Sequence, residues 1–293
     1  MKRLQQWWTQ QSGSARLRIV ITAGLLGLAV LFSSIGLIGS QDWDGFFLNL
    51  GAELGGAAVT FLLLDQLLAR RERAEEMAHA EQQIKTDLIA KMSSEVREIA
   101  VPAADELRRH NWLIDGSMAD AMLRRANLEG VNLANADLRG ANMHRTRLNN
   151  ADLWRTNLAE ADLGGAWLQG ARLWDTNLEG ANLWQARVQN ADLRRANLEN
   201  AEANETKFDE SDLREVNFKR ANLREARLTG AVLQEANLTE ADLTDARLEG
   251  VNLRGAILRR AILEGAVFDN KTILPDGKHW LPGVDLSGYL DDE

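Results

Sequence analysis

The sequence predicts a two-part chain: a membrane α-helical hairpin with a helical stalk, followed by an all-β solenoid of short extended segments. Two apolar stretches near the N-terminus predict the hairpin, and a five-residue period that runs unbroken from residue 121 to residue 270 predicts the solenoid. The charged, helix-favouring run between them predicts the stalk. The expected divisions are an N-terminal segment (1–18), the hairpin (19–68), stalk and N-terminal cap (69–120), solenoid (121–270), and C-terminal cap and tail (271–293).

Residues 19–39 carry no charge, and at about 1.5 Å per helical residue they are long enough for a ~30 Å hydrocarbon core. Residues 46–68 are apolar apart from Asn49, Glu53, Asp65 and Gln66. The short acidic link, residues 40–45, forces the two spans into an antiparallel hairpin. The first stretch is too long for the apolar part of a signal peptide, and a second span follows it. Lys2, Arg3, Arg16 and Arg18 precede the first span, Arg70, Arg71 and Arg73 follow the second, and the link has no basic residue. The positive-inside rule then places both termini in the cytoplasm. Trp7, Trp8, Trp43, Phe46 and Phe47 stand where interfacial aromatics belong.

Glu53 is an ionisable group inside a span, which is costly. It lies among small residues, with Gly51 and Gly55 forming one small-xxx-small pair and Ala52 and Gly56 another. Such spacings let helices approach closely. The reading favoured here is a packing carboxyl that holds the hairpin or an oligomer together, ahead of a proton or ion site, because two spans seldom form a transport path alone.

In the stalk, Ile84, Leu88, Met92 and Val96 recur every four residues, with Met77 and Ile99 near the same stripe. The expectation is a helix continuing from the second span to about residue 100, with Pro102 ending or kinking it. A second short helix over about 103–113 then leads through Asp115-Gly116 into the repeats. Glu81, Lys91 and Glu95 fall on would-be core positions, which argues against a long coiled coil. Pairing with another stalk or with the solenoid end fits better.

The solenoid comprises 30 five-residue units, such as ANLEG at 126–130 and ADLTD at 241–245. The central residue is always apolar: mostly Leu, with Met143, Val188, Ala203, Phe208, Phe218 and Phe268 among the exceptions. Two positions earlier stands Ala, or Thr146, Thr156, Thr176, Thr206, Ser211, Val131, Val216 or Val251. Two inward residues spaced by two fit an extended segment. The odd period demands a bend in every unit, and bends of one hand make a coil that stacks on itself. Ala203 leaves a gap that Phe208 and Phe218 refill. After residue 270, Ile273 extends one column and Pro275-Asp276-Gly277 marks a turn, so Trp280 and Leu281 are expected over the last coil.

This pattern resembles the pentapeptide-repeat family, whose signature is A-(D/N)-L-x-x. The resemblance implies a right-handed four-sided parallel β-helix with 20 residues per coil. Spans, stalk and repeats together resemble membrane-bound bacterial members, which implies the inner membrane. Soluble members mimic DNA and bind topoisomerase, and that implies an alternative function.

Composition limits the chemistry. The chain has 293 residues and no cysteine, which excludes disulfides and thiol chemistry. Its net charge of -9 argues against nucleic acid as a partner. His79, His110, His144 and His279 are scattered, with no metal-ligand spacing, and no nucleophile or phosphate-binding motif is present. No catalytic residue, cofactor or metal is expected. The sequence therefore favours a membrane-anchored non-enzymatic scaffold, tethered to the lipid bilayer through 19–68 and binding a cytoplasmic protein. A homo-oligomer through hairpin or stalk is compatible with it. A topoisomerase-binding DNA mimic would need a strongly negative rod, and residues 121–270 hold 23 acidic and 20 basic residues. An accessory role in transport or immunity is the remaining alternative.

With 20-residue coils, one outward column reads Arg147, Trp167, Arg187, Lys207, Arg227, Arg247; Trp154 lies below Trp174, and Trp184 belongs to a third column. Cation–π contacts on a solvated surface account for part of this. Yet Lys207, Arg227 and Arg247 have Glu205, Glu225 and Asp245 two residues before them, whereas Arg147 and Arg187 have no such acids. Exposed Trp beside Arg is typical of interface hot spots. Arg147, Trp154, Trp167, Trp174, Trp184 and Arg187 are the candidate protein-binding patch, and Gly51, Glu53, Gly55 and Gly56 the candidate membrane packing residues.

Overall fold

The computed structural model describes residues 13–38 and 44–291. Lys2, Arg3, Trp7, Trp8 and Trp43, with most of the 40–45 link, lie outside the described residues. The chain forms two compact units, Met1–Gln82 and Gln83–Glu293. Its helices are α1 (Gly13–Ile38), α2 (Asp44–Met92), α3 (Arg97–Arg109) and the short α4 (Ser287–Leu290).

In the first unit α1 packs against α2 through small residues. Ala58 is fully buried and Ala29 and Thr22 nearly so. Gly51 sits so close to α1 that a Cβ there would lie 2.9 Å from the Ser33 nitrogen and 3.0 Å from the Ala29 oxygen. Any larger residue would push the helices apart. Among the described residues, α2 contains the one helix long and apolar enough to cross a membrane, and Ile19–Ile35 is a shorter apolar stretch.

The second apolar stretch and the start of the charged run share the single helix α2. The break comes earlier than the sequence suggested. Ser93 Oγ donates to the Ala90 oxygen, and Ser94 Oγ accepts from the Val96 N–H. These local bonds compete with the helical ladder and end it at Met92. Pro102 does not end a helix; it lies inside α3, whose bounds differ from the expected 103–113. Met92 is fully buried and Leu88 and Ile89 pack on the core, but Ile84, Val96 and Ile99 are exposed, so the four-residue stripe is only half used.

From residue 121 each unit contributes one bridge residue and a two-residue turn. Parallel bridges join residues 20 apart, from Met122–Asn142 to Arg247–Val267. Four units therefore close one coil, and the four faces begin at residues 121, 126, 131 and 136. The expected strands are reduced to isolated bridges; no longer strand occurs among the described residues. Two of every five residues go to the turn, and two more point inward, which leaves one per face to carry the ladder. Each turn closes with a bond such as Ala126 N–H to Leu123 O, 3.1 Å. The residue before the closing Ala has positive φ in every unit from 120 to 265, the type II signature. Glycine fills only some of these corners, and Glu and Arg adopt φ near +57° at others.

Leu and Ala line the axis and are buried up to Ala261, while Leu263 and Ala266 in the last coil are partly buried. The Thr and Ser variants at the Ala position do more than save space. Thr146, Thr156, Thr176, Thr206 and Ser211 each donate a buried hydroxyl to the carbonyl 23 residues earlier, at 2.6–2.8 Å. On the fourth face Asn157, Asn177, Asn197, Asn217 and Asn237 form an amide ladder at 2.9–3.3 Å.

Both ends are covered. Asn127 N–H donates to Ser94 O and Asp137 N–H to Leu113 O, which supplies acceptors that a preceding coil would otherwise give. Ala100, Ala103, Ala104 and Leu107 of α3 close the axis. Lys85 bonds Asp115 at 2.8 Å and lies over Trp112, fixing the end of α2 to the cap. Burial works against the Asp115 carboxylate, but the Lys85 and Ser117 hydrogen bonds outweigh it and hold its pKa down to about 2. At the far end Ile273 bridges Asn252, one residue out of register. Trp280 stacks on Phe268 at 5.8 Å as expected, but Leu281 is exposed; Leu274 is buried instead, and Tyr289 and Leu290 pack on the core. The turn at 275–277 carries the chain away from the axis after Leu274.

Candidate functional site

Two columns meet where face 1 turns into face 2. The bridge column of face 2 stacks Arg147, Trp167, Arg187, Lys207, Arg227 and Arg247 in the expected order. The corner column, also at intervals of twenty, holds Arg125, Arg145, Gly165 and Gln185. Together with Glu95 from the α2–α3 connection, Arg125, Arg145, Arg147, Gly165, Trp167, Gln185 and Arg187 line an open groove of about 530 Å³. At Gly165 a Cβ would lie 3.3 Å from Arg145 Cγ, so the glycine leaves the Arg145 stem room to lie across the corner.

Trp167 is clamped between its neighbours. Arg147 Cζ lies 5.3 Å from the ring centroid and Arg187 Cζ 4.9 Å, one from the coil below and one from the coil above. Both faces of the indole are thus covered, and two guanidinium planes are held by it.

The groove carries one carboxylate, Glu95, against four arginines, so its balance is positive. Among the described residues no carboxylate pairs with Arg125, Arg145, Arg147 or Arg187. Higher in the same column Arg227 pairs with Asp209 at 3.2 Å and Arg247 with Glu249 at 2.7 Å, and the Arg247 bond holds the Glu249 carboxyl below its usual range. The sequence suggested Glu225 and Asp245 as the partners. Those residues occupy the positive-φ corner and belong to the neighbouring edge, whereas the residue two positions after the arginine stays on the same face. In the coils of Arg147, Trp167 and Arg187 that later position holds the neutral amides Asn149, Gln169 and Gln189, and the coil below them holds Glu129, which makes no ion pair with Arg147. Glu205, likewise expected beside Lys207, instead accepts from Trp184 Nε1 at 3.2 Å and Gln185 Nε2 at 2.8 Å, and these bonds lower its pKa.

The six patch residues therefore divide. Arg147, Trp167 and Arg187 line the groove, and Trp184 stands at the same corner, 40% exposed. Trp154 and Trp174 sit at the corner after face 3, with ring centroids 6.4 Å apart. Arg155 and Arg172 cover Trp154 and Arg194 covers Trp174, but these arginines also pair with Asp175, Asp152 and Asp192. That corner is electrically closed. Arg125, Arg145 and Gln185 were not singled out in the sequence, although the corner column at intervals of twenty carried their signal; Glu95 was noted only as a charged residue on a would-be core position of the stalk.

In the first unit Gly51 and Gly55 face α1, while Gly56 has open space around its Cβ position. Glu53 is exposed on α2, so it does not hold the hairpin together. The same side carries Asn49, Ala52 and Thr60, all exposed and all within one arc of the helix. Among the described residues no cluster of three or more His, Asp or Glu is placed to hold a metal ion.

A family profile described as a pentapeptide repeat region matches residues 141–218 and 187–258, and one described as pentapeptide repeats (8 copies) matches 117–155. The chain belongs to the pentapeptide repeat family. Right-handed quadrilateral β-helices are the fold of such proteins, in keeping with the four-unit coil seen here. Among solved structures this pentapeptide repeat protein is similar to QnrB1, a plasmid-mediated fluoroquinolone resistance protein, with 20% identity over 49% of this chain and 79% of that one, TM-score 0.40. It is similar to HetL, involved in heterocyst differentiation regulation, from the cyanobacterium Nostoc sp. strain PCC 7120, with 29% identity over 55% and 86%, TM-score 0.21. It is also similar to alr5209, a pentapeptide repeat protein from Nostoc PCC 7120, with 32% identity over 39% and 83%, TM-score 0.21. No curated protein sequence matches the chain at a significant level.

Proposed function

We propose that this pentapeptide repeat protein is a membrane-anchored, non-enzymatic scaffold of the bacterial inner membrane that presents its solenoid to a cytoplasmic protein. The apolar stretches of α1 and α2 anchor it in the bilayer, with both termini cytoplasmic. One observation carries the reading: a groove in which four arginines have no carboxylate partner and one tryptophan holds two of them in place. Guanidinium groups held beside an aromatic, with no carboxylate of their own chain paired to them, are the composition of an interface hot spot. A topoisomerase-binding DNA mimic would instead need uncompensated negative charge along the rod.

A second copy of the chain is the further partner this reading includes. Asn49, Ala52, Glu53, Gly56 and Thr60 share an exposed side of α2. A polar, small-residue stripe in a span is poorly matched to lipid tails and well matched to another helix.

Crosslinking in membranes followed by purification of the full-length chain tests the scaffold. The expected result is loss of a specific crosslinked protein when Arg147 and Arg187 are both replaced by Gln. Retention of every wild-type partner by the folded variant would refute it.

A further inference from the structure

The groove has a defined charge geometry, and this geometry selects a ligand chemistry. Arg147 and Arg187 stand two coils apart, about 10 Å at ~4.8 Å per coil. Trp167 between them fixes both planes, so less side-chain freedom is lost when they bind. Planar guanidinium groups recognise carboxylates through paired N–H···O bonds. A polyproline II segment repeats every three residues and rises about 3.1 Å per residue, so acidic side chains three residues apart lie on one side of it and match the Arg147–Arg187 interval. Arg125 and Arg145, one coil apart along the corner, extend the positive surface beside them.

Two features argue against nucleic acid. Both faces of Trp167 are occupied by arginines, which leaves no face for a base to stack on. The positive surface also ends within about three coils, because Asp209 and Glu249 neutralise the same column above.

The placement of neutral amides sharpens the point. Asn149, Gln169 and Gln189 occupy the position from which Glu249 pairs with Arg247. The same column carries carboxylates at Glu129, Asp209 and Glu249, whereas the three coils that hold Arg147, Trp167 and Arg187 carry amides.

Resting on the scaffold reading, we infer that the groove binds an acidic segment of the partner protein in the polyproline II conformation, with carboxylates at three-residue intervals meeting Arg147 and Arg187. Trp167 acts as a positioning residue between them.

The test is fluorescence anisotropy with the full-length chain in detergent. The probe is a fluorescein-labelled peptide with aspartate at every third position, and its asparagine counterpart is the control. The aspartate peptide alone is expected to bind, more weakly as salt rises. Replacing Arg147 and Arg187 with Gln should weaken it by about tenfold or more. Gln189→Glu should weaken it as well, by giving Arg187 an internal partner while every arginine stays in place. Trp167→Leu should lower affinity without changing the salt dependence, since no charge is removed, and Trp154→Gln should change nothing.

Equal binding of both peptides, or aspartate-peptide binding indifferent to the arginine and Gln189→Glu variants, would overturn the inference. So would binding of phosphatidylglycerol vesicles or a single-stranded oligonucleotide through the same arginines with no peptide binding. If the crosslinked partner is lost in the arginine variant but the aspartate peptide neither binds nor competes, the acidic-segment inference fails and the scaffold stands. If the peptide binds as described and no membrane partner changes, the scaffold fails and the groove chemistry stands.

Discussion

Coil 201–220 offers a sharp test of how the axis is filled. Ala203 stands between Leu183 and Leu223 in its column, and Phe208 and Phe218 face each other from opposite faces of the same coil. All three are fully buried, and the two rings meet edge to face at 5.7 Å. Their bulk occupies the space that a leucine at 203 would need. Ala203→Leu alone should overpack the coil and cost about 1–3 kcal/mol. Phe208→Leu alone forfeits the ring contact, about 0.5–1.5 kcal/mol, plus a cavity term that brings the loss to about 2 kcal/mol. Together the two changes restore the leucine-rich packing of neighbouring coils, so the double variant should lose less than the sum, with a coupling near 2 kcal/mol in favour of the pair. Urea unfolding of a fragment starting at Gln83, followed by circular dichroism, measures all four corners of the cycle. Losses that add to within about 0.5 kcal/mol would refute the idea that the phenylalanines compensate for Ala203.

Reporter fusions at Glu293 should be active only as cytoplasmic reporters, and periplasmic activity would overturn the proposed orientation. Thr156→Val should cost about 1 kcal/mol, because the valine fills the site but cannot donate to the Leu133 carbonyl; an unchanged unfolding midpoint would contradict this. Leu193→Asp should unfold the solenoid, since a buried charge on the axis has neither water nor partner; soluble, cooperatively folding protein would be the contrary result. The lowered Asp115 pKa means that its bond to Lys85 contributes fully above pH 3.8 and is lost as the pH falls toward about 2. With the carboxylate 35% exposed, the contribution is discounted to about 1 kcal/mol, and Asp115→Asn should remove this part of the acid dependence.

The five-residue grammar made the axis legible, because Leu and Ala recur at fixed offsets and nothing else in the repeats is apolar so regularly. The bridge column of face 2 followed from its spacing. Pairing within it did not. The left-handed turn residue swings Glu205, Glu225 and Asp245 around a corner, and a linear count of two residues before the arginine cannot show that. The end of α2 was also hidden, because Ser93 and Ser94 are unremarkable in sequence until their side chains take up backbone partners. Pro102 looked like the stronger signal and proved tolerable inside α3. The exposure of Glu53 could not be read from spacing, since Gly51 and Gly56 flank it on both sides and only the position of α1 decides which of them is covered.

The twenty-residue closure of the coil also sets rules for length changes. Removing or inserting a single residue in the solenoid would turn inward leucines outward in everything downstream. A five-residue change preserves the inside but shifts each later column by a quarter turn, so that Lys207 and its successors would leave the line of Arg147 and Arg187. Only multiples of twenty leave the columns aligned. Lengthening this protein without altering its groove is therefore a matter of whole coils, added above Arg187.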